Sequence, residues 1–250
     1  MRRMILGALC AFCGLTAATA ANSDTLTVRI PAMHCAHCAH KVRNILKEDA
    51  GVSSVQINLE RHTATIAYDA AKTCTDSIQA RLTATKRYLP EAYSKDQVLQ
   101  NTIMLRIDDM HCKKCADRIS SRLQPMEGVD SIGASIADHY ITIRYDANRT
   151  SQDDIRALIT KIGYTPVSYY KSPKAAYAYY LIPAEQANSE TVDQVLALDN
   201  VNDVNVSALR KSLAVTYLKE KITSEQLLQA IQAAGIKAVV PAPHECKEGK

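Results

Sequence analysis

A six-residue string constrains this chain more than anything else in it. Met33-His34-Cys35-Ala36-His37-Cys38 returns 77 residues later as Met110-His111-Cys112-Lys113-Lys114-Cys115. The same interval separates Tyr68 from Tyr145 and the apolar residues around them, so a whole unit of about 70 residues is duplicated, not the motif alone. Each unit must therefore bury a core of its own. The absence of Trp and the single Phe fit several small aliphatic cores better than one large one.

Periodicity gives the order of elements in each unit. In the first, Thr25 to Ile30 alternates as a strand and Pro31-Ala32 opens the loop that carries the thiols. Val42, Ile45 and Leu46 then fall at helical spacing, and Gly51 ends that helix. Val55, Ile57 and Leu59, a turn at Glu60-Arg61-His62, and Ala64, Ile66 and Tyr68 read as a β-hairpin. A second helix starts near Cys74 with Ile78 and Leu82 inward, and a closing strand is expected between Tyr88 and Tyr93. The second unit repeats this with a strand over Thr102 to Ile107, a helix bearing Ile119 and Leu123, and a hairpin through Ile132 and Ile143. Ser151 and Asp154 form a capping box for its second helix, and Tyr164 to Val167 is its last strand.

A third unit lacks the cysteines. Tyr179 to Ile182 reads as a strand, Val192, Val195 and Leu196 as a helix, and Val204, Val206, Leu213, Val215 and Tyr217 as a hairpin. Thr223 to Gln226 is a capping box, and Gly235-Ile236 stands where Gly163-Tyr164 stood. Strand, helix, strand, strand, helix, strand is the split βαβ order, so the expected fold class is α+β, with three tandem ferredoxin-like βαββαβ domains over 24–94, 101–170 and 175–241. That topology sets the first strand-to-helix loop beside the loop before the last strand, which brings Tyr88 and Tyr164 to the thiols.

Residues 1–20 have a basic head at Arg2-Arg3, an apolar run to Ala18 and an Ala-x-Ala ending, the parts of a secretory signal peptide. The run is too short to span a bilayer comfortably, which takes roughly 20 residues, and an exported, periplasmic or extracellular chain with no membrane span in its mature form is expected. Residues 242–250 read as a polar tail. A net charge of +4 gives no argument for nucleic acid or for an anionic membrane surface. Of the eight cysteines, Cys10 and Cys13 fall in the signal segment, four form the two Cys-x-x-Cys pairs, and Cys74 and Cys246 are singletons that could pair with each other.

The chain resembles the heavy-metal-associated domain family, which includes copper chaperones, the N-terminal modules of copper-transporting P-type ATPases and the periplasmic mercury-binding protein. The family's Gly-Met-x-Cys-x-x-Cys is matched twice, with Ala32 and Asp109 in place of the glycine. The third unit matches in pattern only, since Ile182 to Asn188 contains no thiol. The resemblance implies that Met33 and Met110 pack inward, that Cys35, Cys38, Cys112 and Cys115 bind metal, and that Tyr88 and Tyr164 match the aromatic beside the site. It also implies a metal-transporting membrane protein or another metal chaperone as partner.

Paired thiolates select soft ions, Cu(I) foremost, with Ag(I) and Hg(II) sharing the preference. A helix N-terminus favours the thiolate form, and Lys113 and Lys114 would push the second pair further that way. His34, His37 and His40 crowd the first motif and open a Zn(II) reading. Lys41, Arg43, Arg118 and Arg122 flank the sites, where they would steer an acidic partner. Metal sequestration or transfer by thiolate exchange, without catalysis, is the expected function. A thiol–disulfide oxidoreductase and a metal-independent adaptor are the alternatives.

Overall fold

The computed structural model describes residues 23–242, so the expected signal segment and all but the first residue of the expected tail lie outside them. The first module runs β1 (Ser23–Arg29), α1 (Ala36–Lys47), β2 (Val52–Asn58), β3 (Thr63–Asp69), α2 (Thr75–Ala84) and β4 (Glu91–Ala92). The second runs β5 (Gln100–Arg106), α3 (Lys113–Leu123), β6 (Val129–Ser135), β7 (Tyr140–Asp146), α4 (Gln152–Ile162) and β8 (Val167–Ser168). The third runs β9 (Ala175–Leu181), α5 (Ser189–Leu196), β10 (Val201–Ser207), β11 (Ser212–Leu218) and α6 (Ser224–Ala233).

Each module is ferredoxin-like. The antiparallel sheets have the orders β2-β3-β1-β4 and β6-β7-β5-β8, and the third sheet is β10-β11-β9. In the third, the closing strand shrinks to one bridge between Leu181 and Val239. The closing strands of the first two modules are also shorter than Tyr88 to Tyr93 and Tyr164 to Val167 would suggest. Pro90 and Pro166 lack an N–H for the ladder, so pairing begins only after them.

Alternation along the strands puts one side chain in two on the helix-covered face. In the first module Val28 and Ile30, then Ala64, Ile66 and Tyr68, meet Val42 and Leu46 of α1 and Ile78 and Leu82 of α2. Each fully buried aliphatic side chain of this kind contributes about 1.5–3 kcal/mol. The second and third modules build equivalent cores.

The chain divides into two compact units, one ending at Tyr93 and the other beginning at Ser94. In the second unit the thiol-free module packs against β8 and the loop before it. Nη2 of Arg156 donates to both carboxylate oxygens of Asp203 at 2.9 and 2.8 Å, and Asp203 also accepts the Ser168 N–H at 2.6 Å. Asn205 donates to the Pro166 carbonyl at 2.8 Å, and the Thr216 hydroxyl donates to the Ser168 carbonyl at 3.0 Å. The Tyr169 ring stacks between Tyr140 and Tyr177, at 4.6 and 5.4 Å. These contacts use groups that a free edge would leave to water.

Candidate metal centres

Each thiol pair is built by a loop that leaves an inner strand and starts a helix. Met33 turns that loop, with its N–H on the Ile30 carbonyl at 2.9 Å and its side chain fully buried; Met110 does the same on Ile107 at 3.0 Å. Cys35 and Cys112 are the N-caps of α1 and α3, both in extended backbone, and Cys38 and Cys115 follow in the first helical turn. The sulfurs stand 2.9 Å apart in the first pair and 3.2 Å in the second. Cys35 is exposed over a buried Cys38, while Cys112 and Cys115 are both half-buried. The Cys35 thiol, hydrogen-bonded to Cys38, holds Cys38 below the usual thiol range; burial opposes this, and the Tyr88 hydroxyl and the Arg87 charge assist it.

Tyr88 and Tyr164 do approach the thiols. Both rings are buried, and their hydroxyls face Cys38 and Cys115 respectively. Burial first, and the thiol second, raise both phenols, Tyr164 to about 12. The Tyr88 hydroxyl is buried and meets no oxygen or nitrogen partner, so the Cys38 sulfur is the polar group it faces. Two soft donors at a solvent-reaching helix start suit a soft cation.

The turn histidines have a definite place. His62 and His139 close the β2–β3 and β6–β7 hairpins in the left-handed region, with φ of 54° and 53°. Their Nδ1 atoms contact the carbonyls of Met33 and Met110 at 2.8 and 3.2 Å, and a carbonyl can only accept, so Nδ1 carries the proton. Their rings meet His34 and His111 edge-on. By contrast, His34, His37 and His40 are all exposed. Among the described residues no three or more His, Cys, Asp and Glu side chains are gathered where they could hold one metal ion. Lys113 spends its charge on Asp117, at 2.8 Å, rather than on the thiols alone.

Asp109, in the place of the family glycine, is buried with neither carboxylate oxygen hydrogen-bonded, and burial raises it to about 6 while the Arg210 charge pulls the other way. Arg210 and Arg87 went unread in the sequence. Arg87 adjoins Tyr88, a usable signal, but nothing local marks Arg210. In the third module Asn188 caps α5 where Cys35 and Cys112 cap theirs, and its side chain accepts the Thr191 N–H at 3.0 Å. An oxygen thus occupies the helix-start position that sulfur occupies in the other two modules. Cys74 caps α2 and is free and exposed; its suggested partner Cys246 lies outside the described residues.

Fold and site together define a tandem of ferredoxin-like modules, two of which present a dithiol to solvent. Residues 27–87 and 104–165 each match the heavy-metal-associated domain, and the chain belongs to that family through these two modules. It is 29% identical over 124 residues to the copper-exporting P-type ATPase of Bacillus subtilis, covering 50% of this chain but 14% of the ATPase. An uncharacterized protein of Haemophilus influenzae is 38% identical over 63 residues, covering 25% of this chain and 67% of that protein. Among solved structures, oxidized MerP from Ralstonia metallidurans CH34 shares 28% identity, with 29% of this chain and 99% of that one covered and a TM-score of 0.27. No described helix is long and apolar enough to cross a membrane.

Proposed function

We propose that this chain is an exported carrier of a soft metal ion, Cu(I) foremost, bound between Cys35 and Cys38 and between Cys112 and Cys115 and passed on by exchange of one thiolate for another. The observation that carries the reading is the pair of sulfurs at a helix start, held by a buried Met and, among the described residues, not gathered with a third His, Cys, Asp or Glu. Such a site binds tightly enough to exclude harder ions yet leaves room for an incoming thiolate. The copper-exporting ATPase among the relatives supports Cu(I) as cargo, and a metal-transporting membrane protein or a second carrier as the partner that receives it. Ag(I) and Hg(II) are competing cargoes. Because only a small part of that ATPase is matched, its catalytic cycle is not carried over to this chain.

An anaerobic Cu(I) titration of the secreted protein against a competing chelator tests this. Two equivalents are expected, one lost with Cys35→Ser and Cys38→Ser and the other with Cys112→Ser and Cys115→Ser, on a chain whose intact mass begins at Ala21. No Cu(I) bound would sink the carrier, and an uncleaved N-terminus would sink export. The short sulfur separation also favours a second reading as a redox dithiol. Insulin reduction that survives metal removal and vanishes with Cys35→Ser would select it instead.

A further inference from the structure

At both thiol pairs an arginine lies over the tyrosine that faces the second sulfur, and the two arginines have different origins. In the first module Arg87, next to Tyr88 in sequence, sets Cζ 5.4 Å from the ring centroid. In the second, the Arg210 guanidinium stands 5.1 Å over Tyr164. Arg210 is not part of that module; it sits in the turn between β10 and β11 of the thiol-free one. Tyr164 is 1% exposed, so the cation meets a fixed ring. Leu209 closes over Gly163 so tightly that an added Cβ there would lie 2.7 Å from its Cδ2. The Arg156–Asp203 pair and the Asn205 bond to Pro166 hold the turn in register. Arg210 also lines, with Asp109, His111 and Tyr179, a cavity of about 500 Å³ against the second metal loop.

We infer that Arg210, supplied by the thiol-free module, completes the second metal site and biases it toward monovalent soft cations, as Arg87 does for the first. This rests on the two-thiolate reading above. Charge counting gives the mechanism: two thiolates around Cu(I) or Ag(I) leave a net charge of −1, whereas around Hg(II) they leave none. A guanidinium over the neighbouring ring attracts the first complex and is indifferent to the second. For a partly solvated pair the attraction corresponds to roughly a 3- to 10-fold gain in affinity. The thiol-free module has Ile236 after Gly235, where Tyr164 follows Gly163, and no sulfur at its own helix start, so its arginine serves the neighbouring site. Asp109 feels the Arg210 charge, which lowers its carboxyl, but no hydrogen bond joins its oxygens to the guanidinium.

The test uses the full chain with Cys35→Ser and Cys38→Ser, which isolates the second site. Affinities for Cu(I) and for Hg(II) are measured by chelator competition in this parent, in Arg210→Gln and in Arg210→Lys. Arg210→Gln should weaken Cu(I) roughly 3- to 10-fold and leave Hg(II) within about twofold, and Lys should recover most of the Cu(I) loss. A role in packing alone would move both ions equally; that result, or no change for either, overturns the inference. A metal-free spectrum adds an independent check, since losing the guanidinium must shift the Tyr164 ring resonances, and unmoved resonances would also overturn it. A parent that binds neither ion is recognisable as failure of the two-thiolate reading itself.

Discussion

At the scale of the residue, the turn histidines show how a side chain far from the thiols sets their loop. His62 occupies a backbone region that costs an ordinary L-residue about 1–2 kcal/mol, and it also donates to the Met33 carbonyl. The two contributions separate by substitution. His62→Gly removes the bond and relieves the backbone cost, while His62→Ala removes the bond and keeps the cost. Amide exchange over Met33 to Cys35 should therefore speed up roughly 2- to 10-fold in the Gly variant, from a hydrogen bond of about 0.5–1.5 kcal/mol, and further in the Ala variant. Equal exchange in parent and both variants would show that the histidine holds nothing. Lys211 is the internal comparison: it has the same φ of 54° and passes its carbonyl to Ile182, in the module that has no metal loop to hold. The sequence marked His62 and His139 as equivalent turn positions, because their spacing matched. It did not show the carbonyl they reach, since that contact joins residues 29 apart through the fold.

At the scale of the element, what could be read was what local chemistry decides. The capping boxes at Ser151 and Thr223 form as their sequences imply, the glycine pair Gly163 and Gly235 takes positive φ after α4 and α6, and the inward faces of the helices follow their spacing. What could not be read depends on neighbours. In the first module Lys86 takes the left-handed position that Gly163 takes in the second, with nothing in its type to announce it. Asp49 is another such case. It follows α1, is 6% exposed, and accepts from Gly51 N–H, Thr73 hydroxyl and Arg81 Nε at 2.9, 3.0 and 3.1 Å, tying the α1–β2 turn to α2. The Gly51 N–H, with Thr73 and Arg81, holds its carboxyl below the usual range against the opposing effect of burial. A depressed folded pKa means stability that is fully present above the unfolded value near 3.9 and lost as pH falls through the folded one. Asp49→Asn should thus cost the first module about 1–3 kcal/mol at neutral pH, and the gap to the parent should close in acid. Calorimetry of both proteins from pH 7 down to about pH 3 checks this. A gap that stays constant would remove the ionised carboxylate from the explanation.

At the scale of the whole molecule, the duplication explains the two thiol pairs but not why a module without thiols persists beside the second. The repeat pattern placed that module in the sequence; its docking could not be read, because Arg156, Asp203 and Asn205 carry no periodic signal and meet only when two separate cores have formed. The Arg156–Asp203 pair has side chains 19% and 18% exposed, between the surface and buried limits, and Asp203 also satisfies the Ser168 N–H. Asp203→Ala would leave a half-buried guanidinium and an unpaired strand N–H at once. The expected cost is roughly 2–3 kcal/mol of coupling between the two modules. In calorimetry of the full chain, the second and third modules of the parent should melt together and those of the variant should separate into two transitions, with the first module's transition unmoved. If Arg210 reaches the second site only because this clasp holds it, the same Asp203→Ala change must also lower Cu(I) affinity at Cys112 and Cys115 while leaving Cys35 and Cys38 as they were. Separated melting without that loss would mean the arginine keeps its place without the clasp, and an intact single transition would mean the tyrosine stack of Tyr140, Tyr169 and Tyr177 carries the docking instead.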